Sequence, residues 1–253
     1  MQQWRQAAET FLSRYKNENW FLGAVLTGSY ATGNFHESSD VDLFIVADNS
    51  ITWRERGNIL VDGVMIEYFI NPLRQVLAEL DAAFAENSLA TTQMFANCKI
   101  LYDTDGTVAA IVERAKRELT TGEIKPATGY GRAMNCYTVW HSYYELCAKA
   151  AANKDILFSY NLFLCDTLRA YLLNSGLPLM PIHKAESILT DADFGHRYNL
   201  PQMPEQAFTA KLLACFAAKE ASKQCAYAKE LYNYFMAKFP DFDICNFSFR
   251  SEI

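Results

Sequence analysis

Apolar residues at Trp4, Ala7, Ala8, Phe11, Leu12 and Tyr15 recur at the spacing of an amphipathic helix. The run Trp20 to Leu26 that follows is expected to be a buried strand, ended by Thr27-Gly28-Ser29. After a polar loop, Val41-Asp42-Leu43-Phe44-Ile45-Val46-Ala47 is rich in branched and aromatic residues and predicts a second strand. Two further strand-like runs, Asn58 to Val61 and Val64 to Ile70, flank Asp62-Gly63, a strong hairpin signal. Pro72 to Phe84 and Ser88 to Cys98 read as helices, Lys99 to Tyr102 as a brief strand and Thr107 to Leu119 as another helix. This order predicts an α+β fold with a small mixed sheet flanked by helices.

Beyond Thr120 the strand signals fade. The polar segment Thr120 to Gly129 contains Gly and Pro and reads as a linker, dividing the chain into domains 1–120 and 121–253. From Tyr130 to Asn174 and from Glu205 to Phe239, Ala-, Leu- and aromatic-rich stretches carry helical periodicity on either side of a Pro- and Gly-containing segment. The second domain is therefore expected to be an all-α helical bundle. The last residues, 241–253, are too irregular to assign.

Composition narrows the function classes. With 51% hydrophobic residues, 21% charged residues and a net charge of −6, the 253-residue chain reads as an ordinary globular protein. There are 23 Lys and Arg against 29 Asp and Glu, so no basic excess is available to coat a long nucleic acid. No apolar run reaches membrane-spanning length and the start lacks the order of a secretory signal, so a cytoplasmic location is expected. None of the seven cysteines forms a C-x-x-C pair, and most sit in apolar helical surroundings as expected buried thiols.

The chemistry is expected at an acidic pair. Asp-x-Asp occurs four times, at Asp40/Asp42, Asp103/Asp105, Asp191/Asp193 and Asp241/Asp243, so the spacing alone decides nothing. Only Asp40/Asp42 follows a strand ending in Gly28-Ser29 and opens directly into another strand. Residues i and i+2 of a strand share a face, which would bring these carboxylates together. Two close anions repel unless a cation intervenes, and their hard oxygens suit Mg²⁺ or Mn²⁺. Glu67 sits mid-strand, where an acid is unexpected unless it faces solvent or a metal; if its strand pairs beside the Asp-bearing one, three carboxylates converge. Gly28 would let a phosphate approach the backbone closely, and Ser29 would add a hydroxyl donor.

Gly28-Ser29-Tyr30-Ala31-Thr32-Gly33, followed by Ser39-Asp40-Val41-Asp42-Leu43, resembles the G-S-x-A-x-G…S-D-x-D-L pattern of the DNA polymerase β-like nucleotidyltransferase superfamily. Its spacing is similar to the bacterial branch of minimal and aminoglycoside nucleotidyltransferases. The resemblance implies an N-terminal nucleotidyltransferase domain in which Gly28 and Ser29 bind the triphosphate and Asp40, Asp42 and Glu67 bind metal and carry catalysis. It further implies a nucleoside triphosphate donor, with ATP expected, and a helical domain that closes the cleft. Thr32 departs from the pattern, standing where many relatives carry Arg or Lys.

The expected reaction is transfer of a nucleoside monophosphate, AMP from ATP, to a hydroxyl of a small molecule with release of pyrophosphate. The expected partners are that acceptor, with no long nucleic acid and no membrane, and a homodimer is open. The resemblance also accommodates a protein adenylyltransferase or an antitoxin-like enzyme acting on a protein partner, and a silent nucleotide-binding module. His36 reads more simply as a solvated loop residue. His141, Glu145 and Lys149 recur at intervals of four and read as an exposed helix face with a salt bridge. His183-Lys184 and His196-Arg197 are loop clusters without a clear role, and Tyr137, Tyr143, Tyr144, Tyr160 and Tyr171 read as core aromatics.

Overall fold

The computed structural model describes residues 3–248 and residue 250. The chain divides into two compact units, Met1–Glu123 with His196–Asn199, and Ile124–Gly195 with Leu200–Ile253. The unassigned tail holds a short 3₁₀ turn at Ile244–Asn246; positions 249 and 251–253 lie outside the described residues.

The first unit runs α1 (Gln3–Leu12), β1 (Phe21–Leu26), α2 (Gly28–Thr32), β2 (Val41–Ala47), β3 (Glu55–Val61), β4 (Val64–Pro72), α3 (Leu73–Ala82), α4 (Ala90–Ala96), β5 (Lys99–Asp103) and α5 (Thr107–Thr121). The strands form one mixed sheet in the order β3-β4-β2-β1-β5. Only β2 and β4 run parallel; the other pairs are antiparallel. The Asp62-Gly63 link does turn a hairpin, with φ of 49° and 80°, the left-handed values a two-residue turn of this kind requires.

Strand alternation sorts the sheet into two cores. Val41, Leu43 and Ile45 of β2, with Ile66 and Ile70 of β4, face α1 and meet Ala7, Ala8, Phe11 and Leu12. Phe44 and Val46 point the other way, toward Val76 and Leu80 of α3, Phe95 of α4 and Val108, Ile111 and Val112 of α5. β2 is thus apolar on both faces, which explains its continuous hydrophobic run. Its first turn of the pattern, Asp42, is the exception.

β3 begins three residues earlier than its apolar pattern predicts, at Glu55 rather than Asn58. It is an edge strand, and charged residues at the edge block pairing with other chains, so Glu55-Arg56-Gly57 carries no hydrophobic signal. Gly57 lies across from Tyr68, whose ring leaves no room for a side chain there. The Tyr68 hydroxyl donates to Glu55 Oε1 at 2.5 Å, and this bond pushes the phenol up to about 12. α5 extends to Thr121, so the expected linker begins later than its composition suggested.

Three of the four Asp-x-Asp pairs serve the backbone. Asp103 accepts from the amides of Gly106, Val108 and Ala109 at the start of α5, and Asp105 from that of Thr107. Asp191 accepts from Asp193 and Phe194, and Asp243 from Cys245. Removing the cap with Asp103→Ala is expected to lower unfolding stability by about 1–2 kcal/mol, measured by urea denaturation. An unchanged midpoint would show that water replaces the carboxylate without loss.

The second unit is helical: α6 (Gly129–Ala151), α7 (Leu157–Ser175), α8 (Ala185–Thr190), α9 (Ala192–His196), α10 (Gln206–Ala217) and α11 (Ala221–Lys238), with a 3₁₀ turn at Ile182–Lys184. Tyr171 is fully buried and stacks on Phe208, and the Tyr160 hydroxyl donates to the Cys215 carbonyl at 2.8 Å. Tyr143 stacks on Tyr232, whereas Tyr144 is exposed. Only Cys136 and Cys215 are buried; Cys147 and Cys245 are exposed, because helical periodicity turns an apolar-looking neighbour to solvent as readily as to the core. Lys149 donates to Ser159 of the next helix rather than forming the expected salt bridge with Glu145. No described helix is long and apolar enough to cross a membrane.

Candidate active site

β1 and β2 are antiparallel neighbours, so the C-terminal end of β1 lies beside the N-terminal end of β2. That juxtaposition brings the Gly28-Ser29 turn against the acidic pair. A methyl group built on Gly28 would come within 1.8 Å of Asp42 Oδ2, and Gly28 also holds a φ of +60°, so glycine is required twice over. The Thr27 amide donates to the Asp42 carbonyl at 2.9 Å and fastens the turn to β2.

β4 lies on the other side of β2 in parallel register, with Asp42 directly beside Glu67. In parallel strands, residues so paired project to the same face. Asp40, Asp42 and Glu67 each offer a carboxylate oxygen within 4.8 Å of the other two, and all three are half-buried. Three formal negative charges this close repel strongly, and a divalent cation is the natural counterion. Hard oxygen donors with access to solvent fit magnesium or manganese, which hold carboxylates and retain water and phosphate oxygens as further ligands.

Arg56 is the cation present at the cluster. Its Nε and Nη2 both donate to Glu67 Oε1, at 3.1 and 2.5 Å. Arg56 pairs across from Phe69 on β4, and its guanidinium lies 4.8 Å from the Phe69 ring centroid. The early start of β3 is what delivers it, and reading β3 from Asn58 onward concealed it. The signal available was the alternation Arg54, Arg56, Asn58, which places three polar side chains on the face of Glu67.

Ser29 is the second residue of α2, so it does not cap that helix; Thr27 stands at the cap position. The Thr32 hydroxyl donates back to the Gly28 and Ser29 carbonyls of its own helix, at 3.2 and 3.4 Å. It therefore supplies no cation where Arg or Lys was a possibility. Lys99 at the start of β5 reaches the Tyr30 carbonyl at 3.4 Å, which places an ammonium beside α2 that the sequence pattern did not single out. Arg197, within the segment grouped with this unit, donates to Asn34 Oδ1 in the loop after α2. His36 Nδ1 is engaged with the Ser38 hydroxyl on the surface.

Comparison with known proteins adds three findings. Residues 5–86 match the family model of the nucleotidyltransferase domain, a span that contains the Gly28-Ser29 turn and all three acids. No curated protein is matched by sequence. Among solved structures, the chain is similar to a nucleotidyltransferase-like protein from Exiguobacterium sibiricum 255-15, at 11% identity and a TM-score of 0.45, over 92% of this chain and 74% of that one. The family match and the mixed sheet agree: residues 5–86 form a nucleotidyltransferase domain of the polymerase β-like superfamily, and the chain is an enzyme of the nucleotidyltransferase class.

Proposed function

We propose that this enzyme transfers AMP from ATP to a hydroxyl group of a small molecule and releases pyrophosphate. The observation that carries the reading is the parallel register of β2 and β4, which sets Glu67 beside Asp42 and completes a three-carboxylate cluster next to the Gly28-Ser29 turn.

Asp40, Asp42 and Glu67 would hold divalent metal, Mg²⁺ or Mn²⁺. When bound there, the metal supplies charge neutralisation for the phosphoryl oxygens and lowers the pKa of a coordinated hydroxyl. The protein's own groups do the rest. The side-chain-free backbone at Gly28 leaves space for a phosphate against β1, and the Ser29 hydroxyl donates to it. The acceptor oxygen attacks the α-phosphorus, an O–P bond forms, and the bond from the α-phosphorus to the bridging oxygen breaks. The electron pair leaves with pyrophosphate. The proton from the acceptor hydroxyl passes to a Glu67 oxygen, which stands on the side of β2 opposite the Gly28-Ser29 turn.

The test uses ATP labelled at the α-phosphate, Mg²⁺ and a pool of small hydroxyl compounds. The wild-type enzyme is expected to move label into a small molecule with matching pyrophosphate release. Glu67→Gln, which keeps the size and removes the base, should slow transfer by about 10²-fold or more. Equal rates for the two enzymes would reject the role of Glu67, and label appearing in protein instead would favour a macromolecular acceptor.

A further inference from the structure

The face of the sheet that carries the acids continues into a pocket of about 330 Å³ in the same unit. Along β2 and β4 the pairs on this face run Asp42 with Glu67, then Phe44 with Phe69, then Val46 with Asn71. The pocket therefore begins one side-chain row from the acids, a distance of about 7 Å along the strands. Its volume lies in the range that holds a small organic molecule.

The position relative to the Gly28-Ser29 turn is asymmetric. That turn is on β1, on one side of β2, whereas the pocket wall is built by β4 and the edge strand β3 on the other. A triphosphate against the turn leaves this side of the acids for the attacking molecule. The inference thus rests on the transfer reading and assigns its second substrate.

The lining has a definite chemistry. Phe44 and Phe69 stand nearly parallel, 16° apart with centroids separated by 5.8 Å; Phe44 is buried behind the pocket and the partly exposed Phe69 presents the aromatic surface. Arg56 lies over Phe69, and Arg54 joins it on the rim with no ion pair or side-chain hydrogen bond among the described residues. Glu79 is the acid of the wall. Its Oε1 accepts from Gln75 and its Oε2 from the Thr91 hydroxyl, so both oxygens are already engaged. Glu55, also at the pocket, is occupied by the Tyr68 hydroxyl.

Asn71 adds a polar side chain to the wall. It is only 8% exposed, lines the pocket, and its side-chain amide makes no hydrogen bond among the described residues. Its amide can donate to, or accept from, a polar group of a molecule held in the pocket.

We propose that this pocket is the acceptor subsite and that the acceptor is an anion, bearing a carboxylate or phosphate on a flat apolar body. The ring or chain packs on Phe69, the anionic group meets Arg54, and Asn71 hydrogen-bonds a polar substituent. Arg56 joins the anion when Glu67 turns its charge toward metal. A polycationic acceptor would meet two guanidinium groups here and is expected to bind more weakly than an anion.

The test is ligand binding by the full chain in Mg²⁺ buffer, followed by saturation-transfer NMR. The probes are 4-hydroxyphenylacetate, phenyl phosphate, the neutral tyrosol and the cationic tyramine. Both anions are expected to bind more tightly than tyrosol, and tyramine least. The tighter of the two anions identifies whether carboxylate or phosphate is recognised. Arg54→Ala changes an exposed side chain and should weaken both anions by about tenfold, while Arg54→Glu should reverse the order in favour of tyramine. Tyramine binding at least as well as the anions, insensitivity of the anions to Arg54, or no anion binding at millimolar concentration would each overturn the proposal. Because binding is read without turnover, a chain that binds anions through Arg54 yet transfers no label would refute the reaction and leave the pocket standing.

Discussion

Asp42→Asn is expected to reduce nucleotidyl transfer by about 10³-fold, equivalent to roughly 4 kcal/mol of lost transition-state stabilisation. Asp42 is the carboxylate shared by the two halves of the site, since Glu67 pairs beside it and Gly28 packs against its Oδ2. Asparagine keeps the shape and removes the charge that holds metal. The effect on the fold should have the opposite sign. In chelator, neutralising one of three crowded acids relieves repulsion, so the variant should melt at or slightly above the wild-type temperature. Added Mg²⁺ should raise the melting temperature of the wild type and leave that of the variant unmoved, because only a binding ligand stabilises the native state. A variant that responds to Mg²⁺ as the wild type does and transfers at an undiminished rate would remove the acid cluster from the mechanism. Asp40→Asn should behave alike, because its oxygen lies in the same cluster.

The second large effect is expected from a single methyl group. Gly28→Ala would put a Cβ 1.8 Å from Asp42 Oδ2 at a residue with φ of +60°, so either the turn or the carboxylate must move. Transfer should fall by about 10²-fold, since small displacements of a reacting group have effects of that order. Gly33→Ala is the matched control. Gly33 also holds a positive φ, of +81°, yet a Cβ there would meet nothing within 4 Å. Both substitutions carry the backbone penalty of about 1 kcal/mol; only Gly28→Ala displaces the acid. Comparing their Mn²⁺ affinities by calorimetry separates the two causes. Equal losses in the two variants would mean that backbone strain, and not the crowding of Asp42, explains the requirement for glycine.

Much of the first unit was legible along the chain because its strands are buried on one or both faces. β2 is apolar almost throughout, and the hairpin between β3 and β4 announces itself in Asp62-Gly63. The beginning of β3 was not legible. An edge strand satisfies half its backbone with water and tolerates charge, so Arg54 and Arg56 left no hydrophobic trace. The cysteines and the Glu145–Lys149 pair show a related limit. Which side of a helix faces solvent, and which neighbour a lysine finds, depend on helices that are distant in sequence, as the bond from Lys149 to Ser159 illustrates.

The four Asp-x-Asp pairs mark the boundary most clearly. Their local sequence separates Asp40/Asp42 from the rest, because only that pair lies between a Gly-Ser turn and a strand. Folding then gives the others their work: Asp103, Asp191 and Asp243 accept hydrogen bonds from nearby amides, a local role that any short polar turn can fill.

By itself, the sequence determined the alternation of strands and helices, the glycine that a crowded turn demands, and the two aspartates at the head of one strand, all properties of a few consecutive residues. The tertiary structure alone decided that Glu67 joins them and that Arg56 reaches Glu67. Both follow from strand order and register, in which a shift of one residue would have turned Glu67 to the opposite face. The same register sets Phe44, Phe69 and Asn71 in rows beside the acids, because residues far apart in the chain become neighbours only when the backbone hydrogen bonds of a sheet align them.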